Sequence, residues 1–229
     1  MKILVLGASG KTGREVVRQA LIAGHEVTAF VRDPMKIDRG DVAVAVGDAR
    51  DADDLEEALR DQDAVISTLG SGLDGKQALI EDSTRALLEA MRATRVRRLV
   101  MLSTFAASPT FKARGIMKLA RIVMKGIVAD KEAGERLLKR SDLDWTIIYA
   151  TRLTEASASG SYRIVEGPLT DIGSISRADV ASALLSTLGA LDSVRHGIVV
   201  TSSERVTAAP PLPSRRRLEG VQRLCRPVP

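Results

Sequence analysis

A glycine-rich turn separates the first apolar segment of the chain from its first helical pattern. Residues 2–7 form a continuous apolar run, as expected of a strand buried on both faces, and residues 12–23 carry apolar side chains at helical spacing. The turn between them, residues 7–13, reads Gly-Ala-Ser-Gly-Lys-Thr-Gly. In this order the glycines bring backbone amides to an anion at a helix N-terminus, so the segment predicts a nucleotide-phosphate site. Its glycine spacing is not that of a Walker A loop, which disfavours a nucleotide triphosphatase.

Strand-length apolar runs alternate with helical segments along most of the chain, which is typical of a parallel sheet covered on both faces. Further strands are predicted at 25–31, 42–46, 64–68, 98–103, 145–149 and 198–201, and further helices at 52–60, 76–94, 129–139 and 177–188. Asp51 and Ser176 are predicted to cap two of these helices. The pattern predicts an α/β fold with a doubly wound, Rossmann-type parallel sheet, in a single domain over residues 1–203 that includes small substrate-binding segments.

The distribution of positive charge bears on nucleic-acid binding, because most of the net charge lies near the C-terminus. The 229 residues carry a net charge of +5, but six arginines and two glutamates in residues 204–229 account for four of these charges. That segment also holds five of the eight prolines, so we expect a poorly packed tail. A nearly neutral folded part with only 3% aromatic residues disfavours nucleic-acid binding.

The remaining composition favours a soluble protein. Hydrophobic residues make up 45% of the chain, yet no apolar run approaches the ~20 residues of a membrane span, so we expect no stable membrane insertion. The lone cysteine, Cys225, is consistent with a reducing, cytoplasmic location. His25 and His196 have no neighbouring ligands at metal-binding spacing, so no metal site is predicted.

The end of the second predicted strand indicates which dinucleotide is bound. NAD-binding units usually place an acidic residue here for the ribose 2′-hydroxyl, whereas this strand ends at Arg32. A guanidinium can clamp a 2′-phosphate, and Lys36 adds a second charge nearby. These two charges favour NADP. Asp33 could instead bind the ribose 2′-hydroxyl of NAD, so NAD remains the alternative cofactor.

Four segments carry a resemblance to a known group of proteins: GASGKTG, the VRDP after the second strand, VGDARD at 46–51 and STLGS at 67–71. With KEAGERLLKRSDLDWTII at 131–148 and ISRADVA at 175–181, they resemble the atypical short-chain dehydrogenase/reductase group. Within it, the chain is most similar to the NmrA-like and biliverdin/flavin-reductase-like NAD(P)H-binding proteins. The likeness extends over roughly the first 200 residues.

The resemblance implies cofactor contacts along the carboxyl edge of the sheet, where ligands of such folds bind. Residues implied at the pyrophosphate are Gly7, Ser9, Gly10, Lys11, Thr12 and Gly13. Those implied at the adenine are Asp48 and Ala49, and those at the ribose are Leu69 and Gly70. The implied catalytic candidates are Ser103, facing the nicotinamide, and Lys131, reaching its ribose hydroxyls.

One element of the familiar short-chain dehydrogenases is missing. Those enzymes place a tyrosine four residues before the lysine, which lowers the tyrosine pKa so that the phenol can protonate a carbonyl. Here that position is Ile127. In addition, Tyr149-Ala150 replaces the Arg-Pro that is often found after the predicted strand 145–149 in the family. The resemblance therefore does not define the shape of the substrate pocket.

Two hypotheses therefore remain. In the first, the protein is an NADP-dependent reductase of a small conjugated acceptor, such as a flavin, quinone or tetrapyrrole, whose reduction needs little acid help. In the second, it is a non-catalytic NADP-binding redox sensor that reports to a protein partner, as the NmrA-like resemblance allows. The basic, methionine-containing stretch 112–128 is predicted to be a helix with a buried apolar face. The alternative is an amphipathic surface that covers the active site, docks a partner or touches an anionic membrane.

Overall fold

The computed structural model describes residues 1–37, 40, 42–70, 78–111, 125–165 and 173–202. Its strands are β1 (Lys2–Leu6), β2 (Glu26–Val31), β3 (Ala43–Val46), β4 (Ala64–Ser67), β5 (Arg98–Thr104), β6 (Asp144–Ala150), β7 (Arg152–Thr154), β8 (Tyr162–Val165), β9 (Ser174–Ser176) and β10 (His196–Ser202). Its α-helices are α1 (Lys11–Ile22), α2 (Ala52–Leu59), α3 (Leu79–Thr94), α4 (Lys125–Lys139) and α5 (Arg177–Ser186).

Eight strands form one sheet in the order β3-β2-β1-β4-β5-β6-β10-β8. All neighbouring pairs are parallel except β10 and β8. The chain order runs outward from β1 in one direction and from β4 in the other, so the two halves diverge between these strands. Such a switch point opens a crevice at the carboxyl ends of the strands. The predicted Rossmann-type α/β fold is confirmed.

Strand alternation divides the core between the two faces of the sheet. Ile3 and Val5 of β1 pack with Val16 of α1 and Val180 of α5 on one face. Leu4 and Leu6, the alternate residues of the same strand, pack on the other face, in one cluster with residues of α2, α3 and α4. These four side chains are fully buried, because period-2 alternation sends successive residues into opposite cores. The continuous apolar run at the start of the sequence thus follows from burial on both faces.

Side-chain caps fix several helix starts. Asp51 accepts hydrogen bonds from the backbone N–H groups of Asp53 and Asp54, and Ser176 accepts one from Asp179, as the sequence predicts. The start of α3 is capped from a distance, since the Asp130 carboxylate accepts from the Ile80 and Glu81 amides. Asp130 lies on α4, so this contact fixes α4 against the beginning of α3.

The main differences from the predicted elements lie in the second half of the chain. Helix α4 begins at Lys125, four residues before the predicted start, and β7, β8 and β9 were not predicted. Strands β7 and β9 pair in a separate two-stranded sheet, and β8 adds an antiparallel edge strand. Residues 112–124 of the basic stretch, residues 76–77 of the predicted third helix and the 204–229 tail lie outside the described residues.

Candidate cofactor-binding site

The phosphate loop, residues 7–13, leaves no room for side chains at two of its glycines. Gly7 has a φ of +76°, and a Cβ there would lie 2.9 Å from Thr68 Oγ1. A Cβ on Gly13 would lie 2.1 Å from the Gly7 carbonyl oxygen, a contact with rigid backbone. The loop is closed by a hydrogen bond from the Gly10 amide to that same carbonyl, at 2.9 Å. Only glycine therefore permits this close passage of β1 into α1.

The first turn of α1 fits an anionic group. Its N-cap residue is Gly10, which supplies no side-chain hydrogen bond, and its first turn contains no acidic residue. The amide groups at the start of the helix and the helix dipole are therefore available to a phosphate. A glycine cradle that a Cβ would fill, opening into an uncapped helix start, is the arrangement that a dinucleotide pyrophosphate requires.

The other loop residues differ in exposure. Ser9 is half-buried, and Lys11 is exposed with its ammonium 2.9 Å from Glu155 Oε1. Thr12 is buried, and its hydroxyl accepts a hydrogen bond from Arg177 Nη1 at 3.1 Å. Residues from the C-terminal half of the fold thus reach the phosphate loop.

The acidic residue and the two basic residues after β2 make different contacts. Asp33 caps a short 3-10 helix, Pro34–Lys36, by accepting a hydrogen bond from the Met35 amide at 3.0 Å. Lys36 Nζ lies 3.8 Å from the Asp33 carboxylate. Arg32 is exposed, and its charge is close enough to Asp48 to help lower the pKa of that carboxyl group.

A groove of about 740 Å³ lies between α1 and the segment after β2. It begins at Ala8 of the phosphate loop, and three cations line it: Arg14, Arg18 and Lys36. Arg14 Nη2 donates to the Lys36 carbonyl oxygen at 3.4 Å, which connects the helix to the segment. The remaining lining is largely apolar and includes Val17, Leu21, Met35, Ile37 and Val42. No motif in the sequence singles out Arg14 or Arg18.

Asp48 and Ala49 follow β3, and the charge of Arg32 acts on Asp48. The Asp48 carboxylate accepts hydrogen bonds from the backbone amide and the side chain of Arg50, the latter through Nε at 3.0 Å. These bonds from Arg50, with a smaller contribution from the charge of Arg32, lower the pKa of Asp48 to about 2. The side chain of Ala49 is buried in the core, so a ligand contact there would involve backbone.

At the carboxyl ends of β4 and β5 the structure brings Lys131, Leu69 and Gly70 together. Lys131 Nζ donates to the carbonyl oxygens of Leu69, at 2.8 Å, and Leu102, at 2.7 Å. Burial lowers the pKa of this amine to about 8, opposed by the negative charges of Glu135 and Asp130. A Cβ on Gly70 would meet open space. Lys131 thus joins the ends of two neighbouring strands at the predicted ribose position.

Ser103 lies nearby in a hydrogen-bond network that no local sequence pattern predicts. Its hydroxyl donates to Glu135 Oε1 at 2.6 Å, and only 3% of the residue is exposed. The other oxygen of Glu135 accepts from the Tyr149 hydroxyl at 2.5 Å and from Lys139 Nζ at 3.0 Å. These four residues together with Lys131 form what we call the lysine–glutamate cluster. The expected contact of Ser103 with a nicotinamide stays a prediction, and the hydroxyl hydrogen is engaged by a carboxylate.

The cluster contains a tyrosine–lysine contact unlike the one in the familiar dehydrogenases. Lys139 Nζ lies 3.0 Å from the Tyr149 hydroxyl, but burial and the neighbouring Glu135 raise the pKa of that phenol. A raised pKa is the opposite of what proton donation near neutral pH requires. The spacing Glu135/Lys139 predicts their ion pair, yet nothing in the sequence joins it to Ser103, 32 positions away.

Comparison with known proteins identifies the family. A family model described as NAD(P)H-binding matches residues 7–190, from the phosphate loop to the turn after α5. The chain belongs to this NAD(P)H-binding family. The match includes the phosphate loop and all five residues of the lysine–glutamate cluster.

Relatives and solved structures agree with this membership. The uncharacterized protein YwnB of Bacillus subtilis is 29% identical over 202 residues, which cover 82% of this chain and 92% of YwnB. ChuY, an anaerobillin reductase from Escherichia coli O157:H7, has a TM-score of 0.77 at 22% identity, over 90% of this chain and 98% of ChuY. A Veillonella parvula short-chain dehydrogenase/reductase in complex with NADP has a TM-score of 0.74 at 20% identity, over 92% and 99% of the two chains. At these identities the structural matches show the fold.

Two other features are absent from the described residues. No helix among them is long and apolar enough to cross a membrane. Within the same residues, no three His, Cys, Asp or Glu side chains are grouped so that they would hold a metal ion.

Proposed function

We propose that this NAD(P)H-binding protein is an NADP-preferring oxidoreductase that reduces a small conjugated acceptor. The proposed cofactor preference rests on the different contacts of the acidic and the basic residues after β2. Asp33, the acidic residue that would serve an NAD ribose, caps the Pro34–Lys36 turn, while Arg32 and Lys36 are exposed. The cationic groove beside them supports a phosphate rather than a hydroxyl at this position.

The residues named below, at the carboxyl edge of the sheet, each bind one part of the cofactor in this proposal. The phosphate loop with Ser9, Lys11 and Thr12 holds the pyrophosphate, and Arg32 and Lys36 clamp the 2′-phosphate. Asp48 and Ala49 contact the adenine, while Leu69, Gly70 and Lys131 orient the nicotinamide ribose. When bound, the nicotinamide supplies hydride; the protein positions it and excludes water.

The acceptor class follows from the acid that the site lacks. Burial and the neighbouring Glu135 raise the pKa of Tyr149, so this phenol is a poor proton donor near neutral pH. An acceptor whose product charge is delocalised needs no strong protein acid, so a flavin, quinone or tetrapyrrole suits the site better than a simple ketone. The likeness to ChuY, named an anaerobillin reductase, supports a tetrapyrrole or a similar conjugated ring system.

A redox sensor is the second candidate, and one observation favours it. The Ser103 hydroxyl and the Lys131 ammonium, the two catalytic candidates, both donate to groups of the protein itself. A protein that only binds the cofactor and reports to a protein partner needs no free catalytic group. Under either function the protein acts in the cytoplasm, where NADP and a reducing environment are available.

The Arg32→Ala variant tests the cofactor preference. We expect it to weaken NADPH binding about tenfold and to leave NADH binding nearly unchanged, because only NADPH carries the 2′-phosphate. Arg92→Ala, which removes an exposed arginine from the last turn of α3, serves as the control. Equal losses for both nucleotides with Arg32→Ala would contradict the assignment.

An acceptor panel separates the enzyme from the sensor. Oxidation of NADPH is followed spectroscopically with flavins, quinones, a linear tetrapyrrole and a dicarbonyl as acceptors. The enzyme hypothesis predicts turnover of one conjugated acceptor and a lower kcat for Ser103→Ala with unchanged NADPH affinity. Tight NADPH binding without turnover of any acceptor would instead support the sensor.

A further inference from the structure

Three charged side chains meet at the start of α1, and two of them come from outside the phosphate loop. Arg177, the first residue of α5, donates from Nη1 to the Thr12 hydroxyl at 3.1 Å and from Nε to Glu155 Oε1 at 3.1 Å. Lys11, the first residue of α1, donates to the same Glu155 oxygen at 2.9 Å. One oxygen of the Glu155 carboxylate therefore accepts hydrogen bonds from two cationic side chains beside the first turn of α1.

The fold holds Arg177 firmly in this position. Its helix begins directly after β9, which pairs with β7, and Ser176 caps it through the Asp179 amide. The Asp179 carboxylate in turn accepts hydrogen bonds from the Ser159 and Gly160 amides. Arg177 is the least exposed of the three charged residues, with 23% of its side chain accessible.

Glu155, in contrast, is loosely held. Its side chain is 61% exposed, and so is 70% of the Lys11 side chain. Hydrogen bonds from Lys11 and then Arg177 lower the pKa of Glu155, so it is an anion near neutral pH. Exposed ion pairs contribute little net stability, because water solvates both partners almost as well. Such a carboxylate can be exchanged for another anion at small cost.

We infer that Arg177 is a further ligand of the cofactor pyrophosphate, and that Glu155 is an internal anion that holds Lys11 and Arg177 until the pyrophosphate displaces it. This inference rests on the proposed cofactor site. Arg177 contacts the Thr12 hydroxyl, so its guanidinium lies beside the first turn of α1, toward which the glycine cradle directs a phosphate. The pyrophosphate carries two negative charges, which match the two cations.

Equilibrium binding to two variants tests this exchange. NADPH, NADH and ADP-ribose are titrated into the wild-type protein, Arg177→Gln and Glu155→Gln, with calorimetry as the readout. We expect Arg177→Gln to weaken all three ligands about tenfold, since a charge-assisted hydrogen bond is lost. Glu155→Gln should tighten all three about threefold, because the competing anion is removed while the side-chain shape is kept.

Equal effects on the three ligands are part of the expectation, because all contain the pyrophosphate while only NADPH has a 2′-phosphate. Arg163→Gln, which neutralises an exposed arginine of β8, is the matched control and should leave binding unchanged. Thermal unfolding checks that each variant is folded. If Arg177→Gln does not fold, Glu155→Gln alone tests the inference. Its binding becomes tighter only if the charge of Glu155 competes with the ligand in the wild-type protein.

Several results would overturn the inference. Unchanged binding by Arg177→Gln would show that Arg177 does not reach the pyrophosphate. Weaker binding by Glu155→Gln would mean that the three residues merely fasten α5 to α1. An effect confined to the KM of an acceptor would assign the two cations to an acidic group of that acceptor. If the wild-type protein bound none of the three ligands, the cofactor site itself would be wrong.

Discussion

At the phosphate loop the chain presents backbone, whereas in the lysine–glutamate cluster it presents side chains that are already bonded to one another. The loop needs glycine because a Cβ on Gly13 would lie 2.1 Å from a carbonyl oxygen, and its helix start has no side-chain cap. In the cluster, by contrast, Glu135 is 2% exposed and receives three hydrogen bonds. One region is open to a ligand, and the other is satisfied internally.

This difference indicates that binding and chemistry depend on separate kinds of interaction. A backbone cradle serves any dinucleotide, so loop changes should affect binding most. The cluster joins β4, β5, β6 and α4, so changes there should affect the free energy of unfolding while leaving the phosphate contacts intact. The following predictions test this separation.

Gly13→Ala should have the largest effect. The added methyl overlaps the Gly7 carbonyl, so the loop must open, and we expect NADPH affinity to fall by at least about a hundredfold with a loss of roughly 3 kcal/mol in the free energy of unfolding. Gly126→Ala is the control, because a Cβ there meets nothing within 4 Å in helix α4. Calorimetric titration and urea unfolding measure both quantities. Wild-type affinity in a folded Gly13→Ala protein would contradict this account of the loop.

Lys131→Met should remove a pH dependence of stability. The pKa of Lys131 is lowered from 10.5 to about 8, because burial disfavours the charged amine. Between these values the unfolded chain binds more protons than the folded one, so this group makes wild-type stability rise with pH. Below pH 8 the full cost of burying the charge is present.

The size of that effect can be measured by urea unfolding. The stability of the wild-type protein relative to Lys131→Met should increase by about 2 kcal/mol between about pH 8 and about pH 9.5. Above that range, the raised pKa of Tyr149 acts in the opposite direction, so the comparison stays below pH 10. A difference between the two proteins that does not change with pH would show that Lys131 is not a buried titrating amine.

Glu135→Gln should destabilise the cluster without harming the phosphate loop. An amide nitrogen replaces one carboxylate oxygen and faces donors from Ser103 or from Tyr149 and Lys139, so we expect a loss of about 2 kcal/mol. Glu89→Gln, an exposed glutamate of α3, should change stability little. If NADPH binding fell together with stability in Glu135→Gln, the two regions would not be separate.

Tyr149→Phe should have the smallest effect of the set. It removes one hydroxyl that donates to Glu135 and keeps the ring volume, so we expect about 1 kcal/mol of destabilisation. Turnover of any acceptor should persist, since the raised pKa of this phenol argues against proton donation. Complete loss of turnover with intact stability would instead identify Tyr149 as the acid of the reaction.

The sequence predicts one of these regions far better than the other, for physical reasons. The phosphate loop is continuous in the chain, and its glycines, buried strand and helix are local patterns. The caps at Asp51 and Ser176 are local too, and both are confirmed. Likewise, the parallel sheet follows from apolar runs that alternate with amphipathic helices.

The cluster and the C-terminal edge depend on contacts between distant parts of the chain. Glu135 has the pattern of an exposed ion pair with Lys139, and only the packing of α4 against β5 and β6 buries it. Strands β7 and β9 have three residues each, too few for a periodicity to be detected. Arg177 reaches Thr12, 165 positions away, through the packing of α5 on α1, which no local pattern indicates.

The central claim is that the chain binds NADP through the phosphate loop and the cations after β2. Calorimetric titration of the wild-type protein with NADPH and NADH at the same ionic strength tests it most directly. We predict one molecule bound per chain, with NADPH at least about tenfold tighter than NADH. Equal affinities, or tighter binding of NADH, would contradict the roles of Arg32 and Lys36, and absence of binding by both would contradict the site.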